Sequence, residues 1–341
     1  MVFKIDPAGK EPIYKQVVTL VERALRNGTL QTGEHIPSMN DLAARLGISR
    51  ETVKKAYGIL VEKGLIIPRH GKGFYAADLL SGGRLQILFI IDKFSIYKQI
   101  LFNSFVRTIG DKAEVTIVNH NQSLDLLEYY LDDCLDNFDY YVVTPHFPLD
   151  ESSQLRARKQ ISRIPNRKLI MLDRLLPDYP GNYGAVYQDF ENDIYSGLMQ
   201  GLDSLARTPK LRVITLPSSL YGGDIRKGIE RFALEKHIPV EFLTSAPEDI
   251  QPGEVFLVLN SQLDEGLVSL ARKIQSAGLQ IGKDVFIISY NEFDMNELIL
   301  GGLTTVSTDF AVMGAMAAQI ILERTPRITH CPFRLTRRST F

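Results

Sequence analysis

Basic side chains cluster on one face of a short helical segment near the start of the chain, at Arg50, Lys54 and Lys55. The opposite side of this segment is an apolar stripe at helical spacing, made of Val53, Ala56, Tyr57 and Leu60. A helix with an apolar back and basic residues near its N-terminal end suits the DNA major groove, because that end meets the edges of the bases. The chemistry predicted for this face is therefore recognition of phosphates and base edges.

The segments around this face follow the order helix, turn, helix, hairpin. Ser38 opens a Ser-x-x-Asp capping box at the start of a first helix, which we expect to end at Gly47. Ser49 is positioned to cap the second helix, and Gly64 to end it. The pattern also contains an amphipathic helix and two strands, predicted over residues 13–25, 65–67 and 74–76. This order is that of a winged helix-turn-helix.

The residues predicted to contact nucleic acid are polar, basic or flexible, and they lie at the helix starts, along the second helix and in the hairpin loop. They are Ser38, Asn40, Ser49, Arg50, Thr52, Lys54, Lys55, Arg69, His70, Gly71 and Lys72. Charge supports this assignment. Residues 1–78 hold 12 Lys and Arg against 8 Asp and Glu, a net charge of +4, whereas residues 79–341 hold 27 against 32, a net charge of −5. A basic head on an acidic body indicates nucleic acid at the head, although each single lysine also fits an ordinary solvated face.

Residues 12–74 resemble the GntR family of bacterial transcriptional regulators. The motifs that carry the resemblance are Pro12-Ile13-Tyr14-Lys15-Gln16, Ile36-Pro37-Ser38, Ser49-Arg50-Glu51-Thr52-Val53, Ala56-Tyr57, Gly64-Leu65-Ile66 and Gly71-Lys72-Gly73-Phe74. The resemblance implies that Arg50, Lys54 and the loop tip at Gly71 contact operator DNA. This family commonly has an arginine two residues after the Pro-Ser pair. Here that position is Asn40, which implies a different half-site preference.

Length and composition exclude several classes of protein. A chain of 341 residues with 45% hydrophobic residues can form one small and one large domain. It has no apolar run of eighteen residues, and charge and proline occupy the start where a signal peptide would be apolar, so we expect a cytoplasmic protein without a membrane span. Cys134 and Cys331 are the two cysteines and fit a reducing compartment, and the six histidines are scattered. We therefore predict neither a metal site nor a cofactor.

After a Ser-Gly-Gly break at 81–83, short apolar strands alternate with helices. Strands are predicted over residues 86–91, 114–118, 140–143, 168–172, 212–216, 240–243, 255–259 and 285–289. Helices are predicted over residues 97–109, 123–136, 151–161, 192–206, 223–236, 264–277 and 310–323. This alternation predicts an α/β architecture of doubly wound parallel sheets with right-handed crossovers.

Two such runs, each of roughly 100 residues as expected for one domain, indicate two lobes. The predicted organisation is a head over 1–77, a linker over 78–84 and a two-lobed body over 85–341. The first lobe is expected to hold 85–188 and 307–324, and the second 189–306 and 325–341.

Polar and aromatic side chains follow the predicted strands or lie near them. Ligands bind outside the carboxyl ends of parallel strands, so these positions point to a cleft between the lobes. The candidate ligand-binding residues are Asp92, Phe94, Tyr97, Asp173, Arg174, Tyr221, Arg226, Asn260 and Asn291. Paired donors and acceptors beside flat apolar rings suit a small polyhydroxylated ligand. For Asp92 and Asn260 a helix N-cap is an equally good interpretation.

Residues 85–341 resemble the effector domain of lac-repressor-type regulators, which is related to periplasmic sugar-binding proteins. The matching pieces are Asp173-Arg174, Asp189, Arg226-x-Gly228, Asn260, the run from Gly278 to Val285, Leu303-Thr304-Thr305-Val306 and Arg338-Ser339-Thr340, which matches the family's last strand. The resemblance implies that Asp173, Arg226, Asn260 and Asn291 line a sugar cleft. Asn291 replaces the usual aspartate there and removes a charge.

The two resemblances together imply a homodimeric, ligand-responsive regulator of sugar-utilisation genes. Double-stranded operator DNA and a monosaccharide, such as a pentose or a 6-deoxyhexose, are the expected partners. One alternative is a GntR-type head fused to a pyridoxal-phosphate enzyme body, which would need a Schiff-base lysine and a longer chain. Another is a DNA-binding protein with a body that binds no ligand.

Overall fold

The computed structural model of the 341-residue chain describes residues 5–7, 9, 11–26, 29–69, 72–77, 84–135, 137–215, 219–259 and 265–341. These residues form a head with one small sheet and a body with two six-stranded sheets. Three predicted site residues, His70, Gly71 and Asn260, lie outside the described residues, as does most of the expected linker.

The head contains three helices and a three-stranded antiparallel sheet. In chain order the elements are α1 (Ile13–Arg26), β1 (His35–Ile36), α2 (Met39–Leu46), α3 (Arg50–Glu62), β2 (Ile66–Arg69) and β3 (Gly73–Ala76). The sheet order is β1-β3-β2, so β3 lies in the middle. The helices and the hairpin agree with the sequence prediction. Strand β1 was not predicted, because two residues are too few to show an alternating pattern.

The helix ends of the head form as the capping residues predict. The Ser38 side chain accepts a hydrogen bond from the Asp41 amide at 3.1 Å, and the Ser49 side chain accepts one from the Thr52 amide at 3.1 Å. Gly47 ends α2 in the left-handed conformation at φ 64°. The predicted stripe of α3 is buried, and it consists of Val53, Ala56, Tyr57 and Leu60. These contacts fix α3 against the rest of the head and leave its other face in solvent.

The body begins with alternating strands and helices. Its elements are β4 (Leu85–Ile91), α4 (Ile96–Ile109), β5 (Ala113–Asn119), α5 (Leu124–Cys134), β6 (Tyr140–Val143), α6 (Glu151–Ile161), β7 (Leu169–Asp173), β8 (Gly184–Tyr187), α7 (Phe190–Met199), α8 (Leu202–Leu205), β9 (Leu211–Ile214), α9 (Gly222–Lys236), β10 (Val240–Leu243), β11 (Val255–Val258), α10 (Glu265–Ser276), β12 (Phe286–Tyr290), β13 (Thr304–Thr308), α11 (Phe310–Glu323), β14 (Ile328–His330) and β15 (Phe333–Thr336). Short 3₁₀ turns lie at Gly110–Lys112, Asn166–Lys168, Asp294–Glu297 and Ile299–Gly301.

The first lobe is a six-stranded parallel sheet in the order β14-β8-β7-β6-β4-β5. Alternate side chains of β4 enter two different cores. Phe89 packs with α4 and α11 on one face, and Leu88 packs with α5 and α6 on the other. Helices therefore cover both faces, as the continuous apolar strands predict.

In the described part of the second lobe the strand order is β10-β9-β11-β12-β13-β15, and only the last pair, β13 with β15, is antiparallel. Among the described residues, the chain passes between the two sheets three times, between β8 and α7, between β13 and α11, and between β14 and β15. The expected lobe boundaries differ from this in one respect. Strand β14 pairs with β8 in the first lobe, whereas 325–341 was assigned as a whole to the second.

Two further element predictions need correction. The single helix expected over 192–206 is two helices, α7 and α8, separated at Gly201. Arg338-Ser339-Thr340 follows the last strand instead of forming it. Thr340 Oγ1 accepts a hydrogen bond from the Thr304 amide at 2.8 Å and donates one to the Ile287 carbonyl at 2.8 Å. This motif therefore fastens the chain end onto the second sheet.

Candidate nucleic-acid interface and interlobe cleft

The exposed face of α3 carries the basic residues that the sequence places there. Arg50 and Lys54 are exposed, and Lys54 lies 3.6 Å from Glu51, one turn away on the same helix. Lys55 is also exposed, but its ammonium lies over the Tyr14 ring of α1 at 3.9 Å. An exposed ion pair such as that of Lys54 with Glu51 is weak, so it does not prevent Lys54 from contacting a phosphate. The N-terminal half of α3 is therefore available to a duplex.

The hairpin of β2 and β3 presents a second basic surface next to the first. Arg69 is exposed and its guanidinium lies 4.5 Å from the centre of the Tyr75 ring, while Lys72 is exposed near the turn. His35 of β1 contacts the Lys72 carbonyl at 3.1 Å and thereby supports the loop. Asn40 is exposed on α2, and the capping residues Ser38 and Ser49 lie at the helix starts on the same structure.

Lys98 forms the floor of a cleft between the two lobes. Its ammonium lies 2.9 Å from an Asp92 carboxylate oxygen and also contacts Asp173, and all three side chains are buried. Burial by itself would lower the pKa of Lys98, but the carboxylates of Asp173 and Asp92 outweigh it and raise that pKa. Burial would likewise raise the pKa values of Asp92 and Asp173, but Lys98 and His146 outweigh it and lower both. The three groups are therefore held in their charged forms.

His146 extends this network into the second lobe. Its Nε2 atom lies 2.8 Å from Asp173 Oδ2, and its Nδ1 atom lies 2.6 Å from the Tyr221 hydroxyl. Asp173 also accepts a hydrogen bond from Gln188, whose amide oxygen accepts one from Thr308 at 2.5 Å. Gln188 and Thr308 belong to two of the three connections between the lobes. The network thus joins the cleft floor to two of the connections between the lobes.

Aromatic rings form the walls of the cleft, which has a volume of about 450 Å³. Phe190 and Tyr221 of the second lobe are stacked, with ring centres 4.2 Å apart and planes inclined by 6°. The other rings that line the cleft are Tyr97, Tyr290 and Phe310. Flat apolar faces beside a few polar groups are typical of a small-molecule site.

Two cleft residues have a backbone conformation that side chains rarely adopt. Asp173, at the end of β7, and Asn291, just after β12, both have φ of 75° and both line the cleft. They occupy corresponding strand ends in the two lobes. Positive φ is costly for residues other than glycine and clusters at functional sites, so this matched pair is a further indication of a binding site.

The structure brings five of the predicted ligand-binding residues together in the cleft, namely Asp92, Tyr97, Asp173, Tyr221 and Asn291. Phe94 is 71% exposed and does not line it, and Arg174 lies behind Tyr221, its guanidinium 5.2 Å from the ring centre.

Arg226 does not line the cleft, contrary to the sequence prediction. It lies on an exposed part of α9, paired with Glu230 at 2.7 Å and placed over the Phe242 ring at 4.1 Å, outside the residues that line the cleft. Arg226 lies in the second turn of α9, on a side of the helix that faces away from the cleft, whereas its neighbour Ile225 lines the cleft.

Sequence reasoning missed Lys98, His146 and Gln188. A signal existed for Lys98, because a lysine stands between Tyr97 and Leu101 on the buried face of α4. His146 lies three residues beyond a predicted strand, in an extended segment without a recognisable pattern. Gln188 directly follows β8, and that strand was not predicted.

Comparison with known proteins agrees with the geometry of the head. Residues 13–76 match the family described as "Bacterial regulatory proteins, gntR family". The head is a GntR-family helix-turn-helix domain. It is similar to part of the HTH-type transcriptional repressor YtrA of Bacillus subtilis, with 32% identity over 75 residues. This match covers 22% of the chain and 58% of YtrA, less than two thirds of that relative, and it leaves the body unmatched.

The body that follows the GntR-family domain has the fold of solved repressors. A crystal structure of the Lac repressor bound to ONPG in the repressed state superposes with a TM-score of 0.58 at 16% identity, over 90% of this chain and 100% of that one. The trehalose repressor from Escherichia coli superposes with a TM-score of 0.58 at 14% identity, over 74% and 100%. Similarity at this level of identity establishes the fold. Among the described residues, no helix is long and apolar enough to cross a membrane.

Proposed function

We propose that the chain is a ligand-responsive transcription regulator, acting in the cytoplasm as a repressor of sugar-utilisation genes. It binds operator DNA through the GntR-family domain and a small sugar-like effector in the interlobe cleft. The observation that carries the proposal is the union in one chain of an exposed basic helix, α3, with a cleft lined from both lobes. The fold likeness to repressors favours this function over an enzyme body.

The mechanism that we propose is closure of the lobes about their three connections. Hinge closure around a ligand is a common transition of two-lobed proteins. Here it would alter the hydrogen bond between His146 and Tyr221, because these residues face each other across the cleft. The effector would then favour one relative position of the lobes, and thereby one position of the heads.

We propose further that two copies act together. A single helix-turn-helix head reads one half-site, and a dimer reads two half-sites about one helical turn apart. A small change in head spacing therefore changes operator affinity. Coupling between the two sites is reciprocal, so operator DNA must alter effector affinity by the same factor as effector alters operator affinity. Analytical ultracentrifugation of the full-length protein should show a dimer.

The test uses full-length protein and duplexes selected by it from a random-sequence pool. Fluorescence anisotropy measures duplex binding with and without each member of a panel of monosaccharides, and thermal unfolding measures sugar binding directly. We expect at least one sugar both to raise the unfolding temperature and to change DNA affinity. A sugar that stabilises the protein while leaving DNA affinity unchanged would contradict the coupling.

Arg50→Ala separates the two functions. We expect it to weaken duplex binding about tenfold or more, because a basic side chain at the start of α3 is lost, and to leave the sugar-induced thermal shift intact. Arg207→Ala is the matched control, since Arg207 is exposed on the body, far from α3 in the sequence. Wild-type DNA affinity in Arg50→Ala would contradict the assignment of α3 as the recognition helix.

A further inference from the structure

The backbone of Lys72 is held at both of its polar groups, next to the tip of the β2–β3 hairpin. Its amide donates a hydrogen bond to the Arg69 carbonyl at 2.9 Å, which links the two strands at the turn. Its carbonyl oxygen lies 3.1 Å from Nε2 of His35, an exposed residue of β1. Because a carbonyl oxygen only accepts, this ring nitrogen carries a hydrogen and donates it. The side chain of Lys72 therefore extends from a backbone whose direction is fixed on both sides.

The imidazole of His35 is itself held against the hairpin. His35 lies directly opposite Tyr75 on the antiparallel strands β1 and β3, and the two rings meet edge to face with centres 5.1 Å apart. Side chains at opposite positions of an antiparallel pair are close enough for such a contact. A Cβ atom added to Gly73 would lie 2.8 Å from His35 Nε2, so the imidazole lies directly on the hairpin backbone. These contacts fix the ring where it meets the Lys72 carbonyl.

Strand β1 also connects the hairpin to the helix-turn-helix. Ile36, the residue after His35, is buried in the core of the head and pairs with Phe74 of β3. Pro37 follows, and its carbonyl accepts a hydrogen bond from the Tyr57 hydroxyl of α3 at 2.7 Å. One short segment therefore contacts the hairpin through His35 and α3 through Pro37. Its residues are placed to set the position of the hairpin relative to α3.

From these contacts we propose that His35 is a positioning residue for DNA binding, which holds the Lys72 carbonyl so that the Lys72 ammonium meets a phosphate of the duplex bound by α3. The inference rests on the DNA-binding function proposed above and adds to it a residue that does not touch DNA. Lys72 is exposed, so its ammonium is accessible to a phosphate. A lysine is a point charge on a flexible stem, and fixing its backbone beforehand reduces the entropy that is lost on binding.

Arg69, on the other strand of the hairpin, is held in a different way. Its guanidinium lies 4.5 Å from the centre of the Tyr75 ring, a contact that does not use the hydrogen bond from His35 to Lys72. Loss of the imidazole should therefore remove the phosphate contact of Lys72 and keep that of Arg69. The salt dependence of binding counts such contacts, because each neutralised phosphate of a duplex adds about 0.9 to the slope of log affinity against log salt concentration.

The test measures the duplex affinity of the full-length protein by fluorescence anisotropy over a series of salt concentrations. The duplex is one that the wild type selects from a random-sequence pool. We expect His35→Ala to bind it about three- to tenfold more weakly, the effect of one hydrogen bond between uncharged groups. The magnitude of the salt slope should fall by about 0.9. A purely structural role of His35 would leave that slope unchanged.

Two further variants test whether His35 acts through Lys72. Glutamine also offers an N–H donor on a side chain of similar length, so His35→Gln should keep the wild-type slope. In Lys72→Ala the phosphate contact is already absent, so adding His35→Ala should change affinity less than about twofold. Thr32→Ala is the matched control, since Thr32 is an exposed residue of the segment that leads into β1, and it should bind like the wild type. Circular dichroism and thermal unfolding confirm that the variants fold.

The possible failures are distinguishable. If the wild type binds no duplex of the pool, the DNA-binding function proposed above is wrong, and this inference is wrong with it. If the wild type binds but His35→Ala keeps its affinity and slope, His35 does not position Lys72, and the proposed function stands. Additive losses in the double variant, without rescue by glutamine, would show that His35 contacts DNA itself and would overturn the positioning role.

Discussion

The Nδ1 atom of His146 in the first lobe lies 2.6 Å from the hydroxyl oxygen of Tyr221 in the second. Burial raises the pKa of Tyr221 above its usual range, so the hydroxyl keeps its proton. The other imidazole nitrogen faces Asp173 at 2.8 Å. Asp173, His146 and Tyr221 therefore form a hydrogen-bonded chain from the cleft floor across the gap between the lobes. A ligand that contacts Asp173 would therefore act on one of the hydrogen bonds between the lobes.

Tyr221→Phe should weaken closure of the lobes. The change removes the hydroxyl and keeps the ring that stacks on Phe190, so closure should lose about 0.5–1.5 kcal/mol, the net worth of one hydrogen bond. Small-angle X-ray scattering of the protein without ligand should then show a larger radius of gyration. Tyr195→Phe is the control, because its hydroxyl contacts Glu235 within the second lobe. Equal radii of gyration for both variants and the wild type would contradict the proposal that the Tyr221 hydroxyl stabilises the closed position of the lobes.

Lys98→Met should destabilise the body by about 3–5 kcal/mol at pH 7, because it leaves Asp92 and Asp173 buried without their cation. In the wild type the pKa values of both carboxyls are lowered, so their stabilising effect is present at neutral pH and is lost as the pH falls below about 4. In the variant the charge of Lys98 no longer opposes burial, so the pKa values of both carboxyls should rise, although His146 still acts against burial. The free energy of unfolding should therefore rise when the pH is lowered from 7 to 5.

Urea unfolding at pH 7 and pH 5 measures this reversal. Lys227→Met is the matched control, since Lys227 is an exposed lysine paired with Asp224 at 3.1 Å. Such surface pairs contribute about 0–1 kcal/mol, so the control should unfold nearly like the wild type. If Lys98→Met gained no stability between pH 7 and pH 5, Lys98 would not be what keeps these carboxyls charged.

Asp193 of the second lobe and His330 of the first lobe form a hydrogen bond, with His330 Nε2 2.7 Å from Asp193 Oδ1. Burial raises the pKa of Asp193 to about 6, although His330 acts against it. The folded state therefore binds a proton more tightly than the unfolded chain, whose aspartates titrate near 3.9. This group consequently stabilises the fold at acid pH, and its contribution is lost as the pH rises through about 6.

Asp193→Asn removes that titration. It keeps a side-chain oxygen that can accept the hydrogen bond which the Asp189 amide donates to Asp193 at 2.8 Å in the wild type. Its stability relative to the wild type should increase from pH 4.5 to pH 7 by on the order of 2 kcal/mol. The comparison must be a difference between the two proteins, because burial lowers the pKa of His120 to about 4, which acts with the opposite sign in the same range. A difference that stays constant with pH would show that Asp193 does not titrate there.

Helices α7 and α9 approach each other closely at Gly228. A Cβ atom added there would lie 2.2 Å from the Glu191 carbonyl oxygen and 2.5 Å from a methyl group of Ile194, so Gly228→Ala should force the helices apart. We expect a loss of about 1–3 kcal/mol, typical of overpacking. Gly223→Ala in the same helix has open space around it and should be neutral or stabilising by up to about 1 kcal/mol. Thermal unfolding of the two variants tests the contrast.

Much of this fold is predictable from local sequence because its signals are local. The capping boxes of α2 and α3, the stripe of Val53, Ala56, Tyr57 and Leu60, and the apolar strands of both sheets depend on residues a few positions apart. The body strands that escaped prediction, β8, β13, β14 and β15, are three to five residues long and lie outside the clear alternation of strand and helix. Their places in the two sheets depend on pairing with strands elsewhere in the chain.

Some residues of the candidate cleft were predictable from the sequence and others were not, for the same reason. Asp92, Asp173 and Asn291 were predictable because the carboxyl ends of parallel strands meet at one edge of a sheet. Arg226 was misplaced because its position on α9 depends on how that helix rotates against α7. The sequence predicted that Asp173 contacts a ligand. In the structure its carboxylate already forms hydrogen bonds with Lys98, His146 and Gln188.

The amino-acid sequence by itself determined that the chain has a winged helix-turn-helix head, an alternating α/β body and polar strand ends. Helical and strand periodicity and capping act over a few residues, so they can be read without the fold. Only the tertiary structure decided that Lys98 neutralises Asp173, 75 residues away in the sequence, and that His146 reaches Tyr221 across the cleft. Such contacts depend on how whole elements pack, and no local pattern specifies them.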